Sequence, residues 1–155
     1  EVEAEILPTS HDRPGSAAWH FTTPEGRVGY ITDTGTIVEE TGERLLGADL
    51  LVLESNHDVD MLRAGPYPYQ LKKRILGEHG HLSNAAAAEY AVKSARAGTR
   101  SILLAHLSDE NNTPELALLT VKQALEEAGL SPLLAAAPRD VISAPYILEG
   151  ARCSA

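Results

Sequence analysis

A single cysteine, Cys153, stands near the carboxyl end of the 155-residue chain, so no internal disulfide can form. That usage fits a reducing compartment, with the cytoplasm as the simplest expectation. No apolar stretch approaches the ~18 residues of a membrane-spanning helix, and the opening E-V-E-A-E has nothing of a signal peptide. Basic residues are few: 13 Lys and Arg against 22 Asp and Glu give a net charge of -9. Such a balance argues against nonspecific, charge-driven binding to nucleic acid or anionic membrane, although a metal site can invert the field locally and leave phosphate ligands open. An initiator methionine is also missing, and the expectation is a fragment or a processed chain. Nor is there an internal repeat, a low-complexity segment or a shift in composition, so residues 1–155 are expected to form one domain.

What is present is a set of short apolar runs. V-G-Y-I-T stops at Asp33, L-L-V-L at Glu54 and I-L-L-A at His106. A short apolar run reads as a buried strand, and in open α/β sheets ligands and chemistry gather just past the carboxyl ends of the strands. One site assembled from several loops is the implication.

The order of elements supports an α/β reading. Val2 to Leu7 alternates apolar with charged residues and ends at Pro8, as a half-buried strand does. Ala17 to Thr22 and Arg27 to Thr32 form a predicted hairpin around P-E-G. A short helix is expected from Val38 to Leu46, then a strand from Leu50 to Leu53, so β-β gives way to β-α-β. Met61 to Gln70 contains G-P-Y-P-Y and reads as an ordered loop, because its prolines forbid a continuous helix. Ser83 caps an alanine-rich helix that ends at Gly98, and Thr113 with Pro114 opens another that ends at Gly129. A last apolar segment, Leu133 to Ala136, and a possible strand at Tyr146 to Leu148 follow.

His11, Asp33 and His106 are of the types that bind zinc, manganese or iron. Each lies among small polar residues, T-S-H-D, T-D-T-G and H-L-S-D, which leave room for a metal and the groups that orient its ligands. Scattered ligands are weaker signals than a local pair, and each has a plainer reading: Asp33 as a turn former, Glu54 as a polar strand end. His20 and His79 read as structural or surface histidines, and His57 as either a site residue or a loop histidine. K-K-R at Lys72 to Arg74 reads as a solvated helix face before a nucleic-acid grip, and Tyr67 and Tyr69 as loop anchors before base-stacking surfaces.

Taken in order, S-H-D-R-P-G-S, I-T-D-T-G, L-L-V-L-E-S-N-H-D, G-H-L-S-N-A-A-A-A and I-L-L-A-H-L-S-D-E-N-N-T-P resemble the metallo-β-lactamase fold hydrolases, in particular their YycJ/WalJ-type branch. The scaffold is similar to that of tRNase Z. The resemblance implies the carboxyl-terminal half of a four-layer αββα sandwich, with a mixed sheet and flanking helices. It implies His11 and His106 as metal ligands, Asp33 as a carboxylate bridging two divalent transition metal ions, and Glu54 with His81 as the pair that handles the leaving group's proton. Two such cations lower the pKa of bound water and supply a hydroxide nucleophile, and an oriented histidine can protonate the departing oxygen. The implied activity is that of a phosphodiesterase or nuclease; a small-ester or thioester hydrolase and a noncatalytic association domain are the alternatives. The chain departs from the family in lacking H-x-H-x-D-H, which supplies most ligands of the first metal. The missing half would leave one sheet face apolar and open, so pairing with a second copy or with that half is expected.

Overall fold

The structure is a computed structural model, and it describes residues 1–146. Six strands lie in sequence order in one mixed sheet: β1 (Glu3–Pro8), β2 (Ala17–Thr23), β3 (Gly26–Ile31), β4 (Leu50–Glu54), β5 (Ser101–Ala105) and β6 (Leu133–Ala136). The first three pair antiparallel and the rest are parallel. Since β1 and β3 to β6 all run the same way, their carboxyl ends meet along one edge. Pro8 is tolerated because β1 is an outer strand with one row of backbone groups unpaired.

Between these strands lie α1 (Glu39–Leu45), α2 (Val59–Ala64), α3 (Tyr69–Ile75), α4 (Asn84–Arg96) and α5 (Pro114–Glu127). The two long helices begin where their caps predict: the Ser83 hydroxyl accepts from the Ala86 amide and the Thr113 hydroxyl from that of Leu116. The loop expected over Met61–Gln70 is shorter than the prolines suggested. Asp58 caps α2 by accepting from the Asp60 and Met61 amides, and α3 starts directly after Pro68, so only Gly65 to Pro68 remain outside helices. Pro66 and Pro68 separate two helices where they were expected to exclude them. Tyr146 is irregular, and the remainder of the possible strand at Tyr146–Leu148, like Cys153, lies outside the described residues.

The two faces of the sheet differ. Leu7, Ala18, Ile31, Leu51, Leu53, Ile102 and Leu104 point to one side and form the core with Leu45, Leu82, Ala87, Ala91, Val121 and Leu125. The small alanines on α4 let that helix approach closely, which explains why a run chosen for helix propensity also packs. On the other side the strand register lines up Ile6, Trp19, Tyr30, Val52, Leu103 and Ala135 in a single apolar row across all six strands. Ile6 is 64% and Tyr30 39% exposed, and Trp19 stacks parallel to Phe21 at 6.0 Å. Among the described residues no helix is long and apolar enough to cross a membrane.

Candidate metal centre

All five residues singled out from the sequence converge at the carboxyl edge of the sheet. Asp33 follows β3, Glu54 ends β4 and His106 follows β5, while His11 comes from the β1–β2 loop and His81 from the turn before α4. Asp33 and His106 have φ of 54° and 57°, and no other non-glycine residue among those described has positive φ. A left-handed residue costs roughly 1–2 kcal/mol outside glycine, so both strand exits are held bent by their surroundings. The bend takes each side chain out of the strand's alternation and into the shared edge.

Glu54 organises the centre. It is fully buried, and its Oε1 lies 2.8 Å from His81 Nδ1 and 2.6 Å from His106 Nδ1. Its Oε2 accepts the Thr34 and Leu82 amides at 3.0 and 3.2 Å. Burial pushes the carboxyl up, but the hydrogen bonds from His106, His81 and Thr34 outweigh it and hold it at about 2. An ionised carboxylate can only accept, so both rings must donate from Nδ1, which leaves both Nε2 atoms facing outward as lone pairs when the rings are neutral. The same hydrogen bond raises the pKa of His106. His11 is set in the same way by a different acceptor, its Nδ1 lying 3.0 Å from the Gly80 carbonyl.

The donor set suits a borderline divalent cation. Ligand atoms of Asp33, Glu54, His81 and His106 lie within 4.8 Å of one another. The Nε2 atoms of His11 and His106 each lie 3.8 Å from the same oxygen of Asp33. Zinc–nitrogen and zinc–oxygen bonds of roughly 2.1 Å place two tetrahedral ligands roughly 3.4 Å apart, so a few tenths of an ångström close the set. Glu54 itself has both oxygens committed to four N–H groups and serves as an acceptor that orients ligands. The imidazoles of His11, His81 and His106 form an arc with His81 in the middle, at centroid distances of 4.9 and 5.2 Å.

Other polar residues, which the sequence reading passed over, hold the loops in place. Ser55, Asn84 and Asn112 make a buried network that ties the end of β4 to the starts of α4 and α5. Asn56 donates from Nδ2 to the His106 carbonyl at 2.8 Å. The Ser10 hydroxyl lies within hydrogen-bond distance of the Thr36 and Glu78 carbonyls, and the Asp12 amide donates to the His79 carbonyl. Asp12 also pairs with Arg74 through two hydrogen bonds, which keep its carboxyl at about 2. Small polar residues crowding around each strand exit were the signal for these tethers. His57 is buried with no hydrogen-bond partner at either nitrogen, and burial drives its pKa down to about 4 against the pull of Glu54. His20 is also buried, 3.6 Å from Glu5, and His79 is exposed in a turn, away from the histidine arc.

Residues 1–107 match the Beta-lactamase superfamily domain, and the chain belongs to that family. It is 41% identical over 129 residues to the exodeoxyribonuclease YycJ of Bacillus anthracis, covering 83% of this chain and 49% of that protein. It is 37% identical over 130 residues to the exodeoxyribonuclease WalJ of Streptococcus pneumoniae, covering 84% and 48%. The chain therefore spans about half the length of these relatives. The metallo-beta-lactamase fold protein YhfI of Bacillus subtilis shares the architecture at a TM-score of 0.60 and 21% identity, over 88% of this chain and 46% of that one.

Proposed function

We propose that this chain carries the carboxyl-terminal part of a metal-dependent phosphodiesterase centre that acts on nucleic acid, as the names of its two relatives suggest. The observation that carries the reading is Glu54, one buried anion that fixes the tautomer of two imidazoles at the same cleft. In this reading His11, Asp33 and His106 hold divalent cations, with Asp33 between the two rings. Bound there, such cations would supply neutralisation of phosphoryl charge and activation of a water. In its protonated form His81, held at Nδ1 by Glu54, presents an Nε2–H to the cleft, gives that proton to the departing oxygen and is left as the neutral ring. The open apolar row supports a second layer packed on it, supplied by a further half of the longer fold or by a second copy.

Metal analysis of the purified protein tests the centre. Near-stoichiometric zinc, manganese or iron is expected, and His106→Ala should weaken the affinity by more than ~100-fold, because removing even a group that only orients a ligand costs 10- to 100-fold. A protein without transition metal, or unchanged occupancy in His106→Ala, would sink the assignment.

A further inference from the structure

We infer that the cleft grips an unpaired nucleic-acid strand through Arg13, which takes a phosphate next to the one being cleaved, and through Tyr67, on which a base stacks. The inference rests on the phosphodiesterase reading and names the form of the substrate. The centre opens into a cleft of about 440 Å³ whose lip carries three guanidinium groups, those of Arg13, Arg74 and Arg139. Two of the three are neutralised. Arg74 is held by Asp12, and Arg139 pairs with Asp109 while donating to the Leu107 carbonyl at 2.5 Å. Arg13 is exposed and makes no hydrogen bond or ion pair within the described residues, although its field reaches Asp12.

The residues just before it, by contrast, are well anchored. Ser10 is tied to Thr36 and Glu78, the His11 ring to Gly80, and the Asp12 amide to His79. An uncommitted guanidinium carried directly after a tethered segment, two residues from a proposed ligand, is placed to meet a planar anion beside the centre. The L-K-K-R segment is a poorer candidate: Lys72 donates to the Arg63 carbonyl and Arg74 is paired.

Tyr67 supplies the flat surface. It lines the same cleft, half-buried between Pro66 and Pro68, whose rings restrict the backbone that carries it. Tyr69, in contrast, is 73% exposed. A net charge of -9 disfavours the many phosphate contacts by which a duplex is held. Among the described residues, one uncommitted cation and one ring at a nucleotide-sized cleft suit a single strand, where each base offers a π-face.

The test uses the full-length protein in EDTA, with the anisotropy of a fluorescein-labelled oligothymidine followed across a salt series. Arg13→Ala should weaken binding about tenfold and flatten the slope of log K against log salt by about 0.7, the value of one phosphate on a single strand. Arg13→Lys should restore the slope, since the charge returns. Tyr67→Ala should also weaken binding about tenfold with the slope intact, and Tyr67→Phe should not. Equal affinity and slope for the parent and Arg13→Ala would overturn the role of Arg13, and a duplex bound as tightly as the strand would overturn the unpaired substrate. Turnover by the metal-loaded protein separates this from the reading beneath it. Arg13→Ala should lose about tenfold more kcat/KM on the oligonucleotide than on bis(4-nitrophenyl) phosphate, which has no second phosphate. Failure of the parent to hydrolyse that small diester would overturn the phosphodiesterase reading, and the binding comparison would still decide Arg13.

Discussion

The carboxyl edge of the sheet and its open face are built by opposite rules. At the edge, polar groups are buried and many are partnered: Glu54, Ser55, Asn84 and Asn112 are almost inaccessible and hydrogen-bonded, with His57 the main exception. On the open face, apolar groups lie exposed, and Ile6, Trp19 and Tyr30 continue a row that nothing in their own strands requires to be solvated. The edge specifies geometry, because a buried polar network tolerates few arrangements. The face specifies only that something apolar should cover it.

Substitutions at the two places should therefore differ in kind. The largest effect is expected at Gly80, where a Cβ would lie 2.2 Å from the Ile75 carbonyl and 2.3 Å from that of Arg74. Gly80→Ala should destabilise by ~4 kcal/mol or more, since backbone cannot yield as a side-chain tip can, and it should displace the carbonyl that holds His11. A urea midpoint close to the parent's would show the edge to be softer than described.

Next comes acid sensitivity. The folded-state pKa of His57 lies below its unfolded value of 6.5, at about 4, so the unfolded chain binds the proton first. Stability is thus fully present above pH 6.5 and is lost as pH falls towards 4, by about 3 kcal/mol. Urea titrations across that window should show the decline in the parent, and His57→Phe should flatten it. An equal decline in both proteins would move the cause elsewhere.

A smaller change is expected for Glu54→Gln. Replacing either oxygen by an amino group sets donor against donor at positions that now accept four N–H groups. Metal affinity should fall by roughly 10- to 100-fold, as for other residues that orient ligands, and competition with a chromogenic chelator would measure it. Unchanged affinity would mean that the rings are oriented without Glu54. The smallest change in stability should come from the open face. Ile6→Lys is expected to alter it by less than ~0.5 kcal/mol, as exposed positions do, while light scattering shows loss of association and metal content stays the same. A parent already monodisperse as a monomer would count against a second copy on this face.

Much of this architecture was legible in the residues. Short apolar runs gave β3, β4 and β5, and the pairings Ser83 with Ala86 and Thr113 with Leu116 began the long helices as their chemistry predicts. Strand-end position alone nominated Asp33, Glu54 and His106, because parallel strands bring their carboxyl ends together whatever lies between them. Other features were not readable. Proline in G-P-Y-P-Y marks a break in helix without saying whether helices resume on either side, and Asp58 as a cap was the overlooked cue. The convergence of His11 and His81 depends on tertiary hydrogen bonds to Gly80 and Glu54, which no local pattern encodes and which only the family resemblance implied. The buried network of Ser55, Asn84 and Asn112 joins residues far apart in sequence, so none of the three stood out.

The two left-handed strand exits carry an evolutionary consequence. Glycine at position 33 would adopt the observed φ without strain, a relief on the order of 1 kcal/mol, whereas glycine at 106 would also deprive the buried Glu54 of a hydrogen bond. Backbone strain alone would thus favour glycine at 33. The proposed ligand roles therefore predict that aspartate at 33 and histidine at 106 serve metal binding at some expense of backbone ease.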